Sequence, residues 1–286
     1  MTTIALLGGD RRQEFLSFAL RGRGFETVGF GNTVFPVAPD LDKAMEGAGV
    51  VLLPVPATRD GVFLARGNEP KAAIPFSEIL ARLRPGTLLL GGQLPPDWVE
   101  QAQKRGAICA DYYLDETVQI RNALPTAEGA LRLAMQELPT TLFDVQTVVA
   151  GYGRIGSLLS EKLVALGAKV GVLARSSAAL AKAELHGAQG RSFLQGVPPF
   201  FKDCRVLFNT VPERVFEAPL LSALPQNCIL IELASAPGGF APELANSMGL
   251  KVIPAQGLPG RFYPEAAGSI LADAVCKILR ANGFLD

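Results

Sequence analysis

Gly151, Gly153 and Gly156 give the chain its clearest chemical signal. They form a G-x-G-x-x-G pattern, in which the first glycine permits a tight turn and the second lets the backbone approach a pyrophosphate. The third allows a helix to pack closely on a strand, and the N–H groups that open this helix favour negative charge. Because ordinary glycine turns show the same pattern, its meaning depends on the surrounding elements.

The elements around these glycines are those of a dinucleotide-binding unit. An apolar, β-branched run at 145–150 predicts a buried strand, and apolar residues from Ile155 to Leu166 recur at helical spacing. Gly167 is expected to end that helix, and Lys169–Ala174 to form a second strand. The order of strand, turn, helix and strand therefore predicts a cofactor site. The expected contacts at the turn are Gly151, Tyr152, Gly153, Arg154, Ile155 and Gly156.

The end of the second predicted strand indicates which dinucleotide is bound. NAD sites carry Asp or Glu about 20 residues beyond the glycines, to hold the ribose 2′-hydroxyl. This chain has Arg175 and Ser176 there, and no acid between Glu161 and Glu184. A guanidinium pairs bidentately with phosphate oxygens, so the sequence favours NADP, with NAD as the alternative. A solvated surface arginine is the competing interpretation.

Three later turns should lie at the same edge of the sheet as the glycines. They follow the fourth, fifth and sixth predicted strands of this unit, and ligands bind at the carboxyl ends of such strands. Routine turn chemistry is the alternative explanation, because Gly and Pro punctuate loops everywhere. The expected cofactor contacts in these turns are Asn209, Thr210, Val211, Pro212, Ala234, Ser235, Gly257, Leu258 and Pro259.

Five short apolar runs in the first 110 residues predict a second unit of alternating strands and helices. We expect Asp10 and Arg12 at its ligand edge, where Arg12 could bind a substrate carboxylate and Asp10 either caps a helix or acts directly. Pro125 and Thr126 are expected to start a helix at the domain junction. The catalytic candidates are Asp10, Arg12, Thr126, Glu128 and Ser235, and the substrate-binding candidates are Asp10, Arg12, Asn122, Thr126, Ser235 and Gly260.

The sequence thus predicts an α/β protein with two doubly wound parallel-sheet domains. The first is a flavodoxin- or Rossmann-like substrate domain, residues 1–123 plus 264–286, onto which a C-terminal helix packs back. The second, residues 124–263, is the NADP-binding Rossmann domain. Length and hydrophobic content allow each to bury a core.

Composition excludes several classes of protein. Lys and Arg together number 27, as do Asp and Glu, so there is no basic excess for nucleic acid. No apolar run approaches the roughly 18 residues of a membrane span, no leader is apparent, and a cytoplasmic protein without a metal site is expected. His186 is the only histidine and lies at the end of a predicted surface helix, so the identity of any acid or base stays open.

The chain resembles the dipicolinate synthase A-subunit family along nearly its whole length. The resemblance is carried by GGDRRQ, NALPTAEGALRLAMQ, AGYGRIG with VLARS, NTVP, LASAPGG and GLPGRFYPEAAGSILAD, in that order. More distantly, the two-domain plan is similar to alanine dehydrogenases and D-2-hydroxyacid dehydrogenases.

The resemblance implies an oxidoreductase of spore formation, acting in the mother-cell cytoplasm. Such an enzyme oxidises dihydrodipicolinate, from the lysine pathway, to dipicolinate with NAD(P), together with the flavoprotein-like B-subunit of dipicolinate synthase. It also implies Arg12, Thr126 and Ser235 as carboxylate binders. A nucleotide-binding regulatory or scaffold subunit, or another small amino- or keto-acid dehydrogenase, remains an alternative, and the oligomeric state is open, a homodimer included.

Overall fold

A computed structural model describes residues 2–66 and 73–285. The chain divides into two compact units. One consists of the residues up to Asn122 together with those from Pro259 onward, and the other of Ala123–Leu258. No helix within the described ranges is long and apolar enough to cross a membrane.

The first unit is built on a five-stranded parallel sheet in the order β2-β1-β3-β4-β5. Its strands are short and apolar, as expected where helices cover both faces of a parallel sheet. Its elements are β1 (Thr3–Leu7), α1 (Arg12–Arg21), β2 (Glu26–Phe30), α2 (Leu41–Met45), β3 (Val50–Leu52), α3 (Phe76–Arg82), β4 (Leu88–Gly91), α4 (Pro96–Lys104) and β5 (Ile108–Asp111).

Helix α5 (Glu116–Glu137) follows and corrects one expectation. The sequence placed a helix start at Pro125, but the helix begins nine residues earlier and Pro125 lies in its interior. An interior proline removes one helical hydrogen bond and costs roughly 3 kcal/mol. Buried side chains on both sides of it, such as Val118 and Ala127, supply the packing that offsets this cost.

The second unit is built on a six-stranded parallel sheet in the order β11-β10-β9-β6-β7-β8. The strand order reverses between β6 and β9, and ligands of doubly wound sheets bind at such a switch point. Its elements are β6 (Gln146–Ala150), α6 (Arg154–Ala165), β7 (Lys169–Ala174), α7 (Ser177–Leu185), β8 (Gln189–Ser192), β9 (Val206–Asn209), α8 (Ala218–Leu221), β10 (Ile229–Glu232), α9 (Pro242–Ser247) and β11 (Lys251–Pro254).

Two helices complete the chain, α10 (Leu258–Phe262) and α11 (Pro264–Ala281). Helix α11 packs on α1 and so completes the first unit, which confirms the expectation for the C-terminal helix. Gly268 makes this approach close, because a Cβ there would lie 2.7 Å from the Arg12 carbonyl oxygen and from Phe15 Cβ. The prediction of two doubly wound parallel-sheet α/β domains is confirmed.

Candidate functional site

The glycine turn of the second unit is shaped by two close contacts. Gly151 has φ +91°, and a Cβ there would lie 2.3 Å from Thr210 Oγ1. A Cβ on Gly156 would lie 2.1 Å from the Gly151 carbonyl oxygen. Thr210 fixes the turn from β9, because its N–H and hydroxyl both donate to the Ala150 carbonyl at 2.9 and 2.8 Å. Only glycine fits at positions 151 and 156.

Gly153 differs from these two glycines because it faces open space. A Cβ built on it meets no atom within 4 Å, and its φ of −89° is one that any residue adopts. The residue lies at the N-cap of α6, and the N–H groups of a first helical turn have no partner within their helix. The bare backbone at 153, beside a positive helix end, fits a pyrophosphate group.

Tyr152, between the first two glycines, is bound to the side chain of His186. The Tyr152 hydroxyl lies 3.1 Å from His186 Nδ1, and the same nitrogen lies 3.1 Å from Glu161 Oε1. Burial, followed by the charge of Glu161, raises the pKa of the Tyr152 phenol. The sequence assigned His186 a place at the end of α7, where it lies, but missed this contact with the glycine turn. Of the other turn residues, Arg154 is exposed and Ile155 is half-buried at the start of α6.

Arg175 and Ser176 follow β7. The Ser176 hydroxyl accepts the Ala179 N–H at 3.4 Å and caps α7. The Arg175 guanidinium forms a two-pronged pair with Glu213, with Nη1–Oε2 at 3.1 Å and Nη2–Oε1 at 3.3 Å. Both side chains are more than half exposed. The sequence gave no indication of this partner, because Glu213 lies beyond a different strand.

A buried carboxylate organises the loops after β9 and β10. Glu232, 8% exposed, accepts Asn209 Nδ2 at 2.6 Å and the Ala234 N–H at 3.1 Å through Oε1. Its Oε2 accepts the N–H groups of Gly239 at 2.8 Å and Phe240 at 3.2 Å. Sequence analysis missed Glu232, although an acid that ends the apolar run ILIE was a usable signal.

Asn209 and Gln256 extend this network to the neighbouring loops. Asn209 donates through Nδ2 to the Val211 carbonyl at 2.9 Å and accepts the Val211 N–H at 3.1 Å. Gln256 Nε2 donates to the carbonyls of Ala234 at 2.9 Å and Glu232 at 3.3 Å. The three predicted cofactor loops are therefore linked by side-chain hydrogen bonds within one unit.

The remaining predicted residues of these loops differ in exposure. Pro212 and Ser235 are exposed, and the Ser235 carbonyl accepts the Gly238 N–H at 2.9 Å in a tight turn. Gly257 has φ +71° and ends the loop after β11. Leu258 and Pro259 are buried in α10, so the expected loop at 257–260 is a helix from Leu258 onward.

Asp10 and Arg12 form a buried ion pair at the carboxyl edge of the first sheet. Arg12 Nε and Nη2 donate to the two Asp10 oxygens at 2.8 Å each, and Nη2 also donates to the Val55 carbonyl at 2.6 Å. Asp10 in addition accepts the Arg12 N–H at 3.0 Å, so it satisfies the start of α1 as well. Gly260 covers the pair, since a Cβ there would lie 2.4 Å from Asp10 Oδ2.

The electrostatics of this pair keep both groups charged. Burial raises the pKa of Asp10, but the charge and hydrogen bonds of Arg12 outweigh it and leave that pKa below its ordinary value. Burial lowers the pKa of Arg12, and Asp10 more than restores it. Arg12 is 9% exposed, and its Nη1 has no hydrogen-bond partner among the described residues. That N–H group is available to an anion such as a carboxylate.

The three predicted residues of α5 have different surroundings. Asn122 is 9% exposed and its Nδ2 lies 3.1 Å from the Tyr113 hydroxyl, in the first unit. Thr126 is 8% exposed and belongs to the second unit. Glu128 pairs with Lys162 Nζ of α6 at 3.0 Å.

Comparison with known proteins identifies the family. Residues 3–113 match the model of the N-terminal domain of the dipicolinate synthase A-subunit. The dipicolinate synthase A-subunit of Bacillus subtilis (strain 168) is 30% identical over an alignment of 294 positions, which covers 96% of this chain and 95% of that protein. The crystal structure of the Bacillus halodurans protein of that name has a TM-score of 0.82 at 27% identity, and 97% of each chain is covered.

A more distant structural relative shows how widely the fold is shared. An L-alanine dehydrogenase has a TM-score of 0.62 at 15% identity, covering 99% of this chain and 91% of that one. At this identity the likeness concerns the fold alone. Together with the match to the Bacillus subtilis protein over almost the whole chain, these findings show that the chain belongs to the dipicolinate synthase A-subunit family.

Proposed function

We propose that this protein oxidises dihydrodipicolinate to dipicolinate with NADP as the hydride acceptor. The observation that carries the proposal is the open backbone at Gly153 beside the N-terminus of α6, in a chain of this family. Gly151 and Gly156 are required by close packing, whereas nothing in the described protein occupies the space next to Gly153. The absence of a side chain at Gly153 is explained if a bound ligand, such as a phosphate group, fills the space that a side chain would take.

The reaction itself needs little from ionisable side chains. A dihydropyridine loses one hydride and one proton and becomes an aromatic pyridine, which makes the conversion strongly favourable. When bound, the nicotinamide ring accepts the hydride. The proton passes to water, and the protein mainly orients the dicarboxylate beside the nicotinamide. This agrees with a chain whose one histidine contacts Tyr152 and Glu161.

Arg12 is the proposed carboxylate binder of the first unit. Asp10 fixes the guanidinium through Nε and Nη2, and Nη1 is left to donate to a substrate carboxylate. Asn122, Thr126 and Ser235 are proposed as further hydrogen-bonding partners of the substrate, with Gly260 covering the ion pair. Asp10 is proposed to act by orienting Arg12, and Glu128, which pairs with Lys162, stays a catalytic candidate.

The second unit is proposed to bind the nucleotide. The glycine turn would receive the pyrophosphate, and the loops that Glu232, Asn209 and Gln256 link would contact the nicotinamide half. Arg175 and Ser176, at the end of β7, would receive the 2′-phosphate of the ribose, so that NADP is preferred over NAD. The flavoprotein-like B-subunit of dipicolinate synthase is the proposed partner, in the cytoplasm of the mother cell of a spore-forming bacterium.

The decisive experiment measures product formation. Dihydrodipicolinate, generated in situ, is mixed with the protein and with NADP or NAD, in the presence and absence of the B-subunit, and dipicolinate is followed by its ultraviolet absorbance. We expect product with NADP, more slowly with NAD, and a loss of at least tenfold in the Arg12→Ala variant. Absence of product with both nucleotides, with and without the B-subunit, would refute the proposal.

A nucleotide-binding regulatory subunit is the second candidate. One observation favours it. Glu232, a buried acid at the predicted nicotinamide loops, already accepts hydrogen bonds from four N–H donors, so its carboxylate is not free to act as an acid or base. If this candidate is right, the isolated chain binds NADP but forms no dipicolinate, whereas the isolated B-subunit turns over the substrate. A further arm of the same assay, with the B-subunit alone, therefore separates the two functions.

A further inference from the structure

The Arg175–Glu213 pair spans the carboxyl end of β6. Arg175 follows β7 and Glu213 belongs to the loop after β9, and β6 lies between these two strands in the sheet. Strands β7 and β9 are thus about 10 Å apart, twice the spacing of neighbouring strands. Strand β6 runs directly into Gly151. The pair therefore lies beside the glycine turn, at the end of β7 where the 2′-phosphate is predicted to bind.

We propose that Glu213 determines how strongly the protein distinguishes NADP from NAD. Its carboxylate occupies the Nη1 and Nη2 end of the Arg175 guanidinium, where a 2′-phosphate would also bind. This inference rests on the proposed nucleotide site. The two anions compete because both accept paired hydrogen bonds from the same end of a guanidinium.

The charges make the competition specific for the phosphorylated nucleotide. If a 2′-phosphate displaces Glu213, the Nη1 and Nη2 contacts to the carboxylate are lost. If the phosphate instead approaches the Nε side of Arg175, it comes within a few ångströms of the Glu213 charge. In both arrangements Glu213 weakens NADP binding. NAD carries a hydroxyl at this position and has no comparable conflict.

Because the pair is exposed to solvent, Glu213 lowers the affinity for NADP rather than preventing NADP from binding. The side chains of Arg175 and Glu213 are 69% and 57% exposed, and ion pairs this open to solvent are weak. A doubly charged phosphate can therefore replace the single charge of the carboxylate. A simple surface clamp between two loops is the competing role, and it would affect both nucleotides alike.

The test compares nucleotide affinities by calorimetric titration of the full chain at low salt. We expect Glu213→Gln to tighten NADP binding roughly threefold and to change NAD binding less than about 1.5-fold. The gain should disappear in the double variant with Arg175→Ala, and it should shrink at high salt. Glu217→Gln is the matched control, because Glu217 is exposed, lies in the same unit and makes no side-chain hydrogen bond among the described residues.

The outcomes separate this inference from the proposed function. If the wild-type protein binds NADP and Glu213→Gln leaves the ratio of NADP to NAD affinity unchanged, the inference is refuted alone. An equal weakening of both nucleotides, with an unchanged circular dichroism spectrum, shows a loop clamp and also refutes it. If neither wild type nor variant binds either nucleotide, the proposed function and this inference are both refuted.

Discussion

Replacement of Glu232 by glutamine tests whether the buried carboxylate holds the predicted nicotinamide loops. The side chain keeps its size and shape, but one of its two acceptor oxygens becomes an NH₂ group. In the wild-type protein Oε1 receives two N–H groups, from Asn209 and Ala234, and Oε2 receives two more, from Gly239 and Phe240. Whichever way the amide is oriented, two buried donors then face another donor.

The size of the effect follows from these contacts. A hydrogen bond to a charged group contributes about 1.5–3 kcal/mol, and a buried donor left without an acceptor costs about 1–3 kcal/mol. Some relaxation is expected because Ser235–Pro237, next in the chain, is exposed. We therefore expect Glu232→Gln to lower the free energy of unfolding of the second unit by about 2–4 kcal/mol. Nucleotide affinity should fall as well, because the linked loops lose their fixed geometry.

Two measurements check this expectation. Urea unfolding followed by circular dichroism gives the change in stability, and hydrogen exchange with mass spectrometry gives the protection of the amides of Gly239 and Phe240. Exchange of these amides should become at least tenfold faster. Glu217→Gln, which replaces an exposed acid of the same unit, should change neither quantity. An unchanged unfolding midpoint together with unchanged exchange in Glu232→Gln would refute the role assigned to the carboxylate.

Two further expectations concern the glycine turn and the buried ion pair. Gly153→Ala should leave the free energy of unfolding within about 0.5 kcal/mol, because its Cβ meets open space, while calorimetry shows nucleotide affinity at least tenfold weaker. Gly156→Ala should lower the free energy of unfolding in urea by several kcal/mol, because its Cβ would lie 2.1 Å from the Gly151 carbonyl oxygen. Equal stabilities of the Gly153→Ala and Gly156→Ala variants would contradict this account. Asp10→Asn should cost about 3 kcal/mol at neutral pH, because it leaves Arg12 buried without its counter-ion. The pKa of folded Asp10 lies below the ordinary 3.8, so the difference in free energy of unfolding between wild type and variant should be complete above pH 5 and shrink as pH falls through the folded pKa. An equal difference at pH 7 and pH 2 would contradict the assignment.

The parts of the fold that the sequence predicted are those set by local chemistry. Short apolar runs between turn residues were enough to place the strands of both sheets, because parallel strands are buried on both faces. Gly151 and Gly156 were interpretable because a tight turn and a close helix contact each impose a local demand that only glycine meets. The C-terminal stripe of apolar residues likewise predicted α11 as a packed helix.

What the sequence did not predict depends on partners that are distant in the chain. Pro125 indicated a helix start by local rules, but packing of both halves of α5 carries the helix through it. Glu232 resembled any acid at a strand end until the N–H groups of a later loop were seen to converge on it. Glu213 is 38 residues from Arg175, and only the strand order of the sheet brings the two together. No periodicity or motif encodes such contacts.

Burial separates the roles of the two arginines that were predicted to bind anions. Each is held by a carboxylate of its own unit, Arg12 by Asp10 and Arg175 by Glu213. The Asp10–Arg12 pair is largely shielded from solvent, and separating buried charges is costly. The pair is therefore expected to stay intact when a ligand binds, which leaves only Nη1 of Arg12 to donate to the ligand. The second pair is open to solvent and is held weakly, so a phosphate can replace the carboxylate. A guanidinium held permanently suits a small dicarboxylate that must be oriented, whereas one held loosely suits a cofactor that must enter and leave in every turnover.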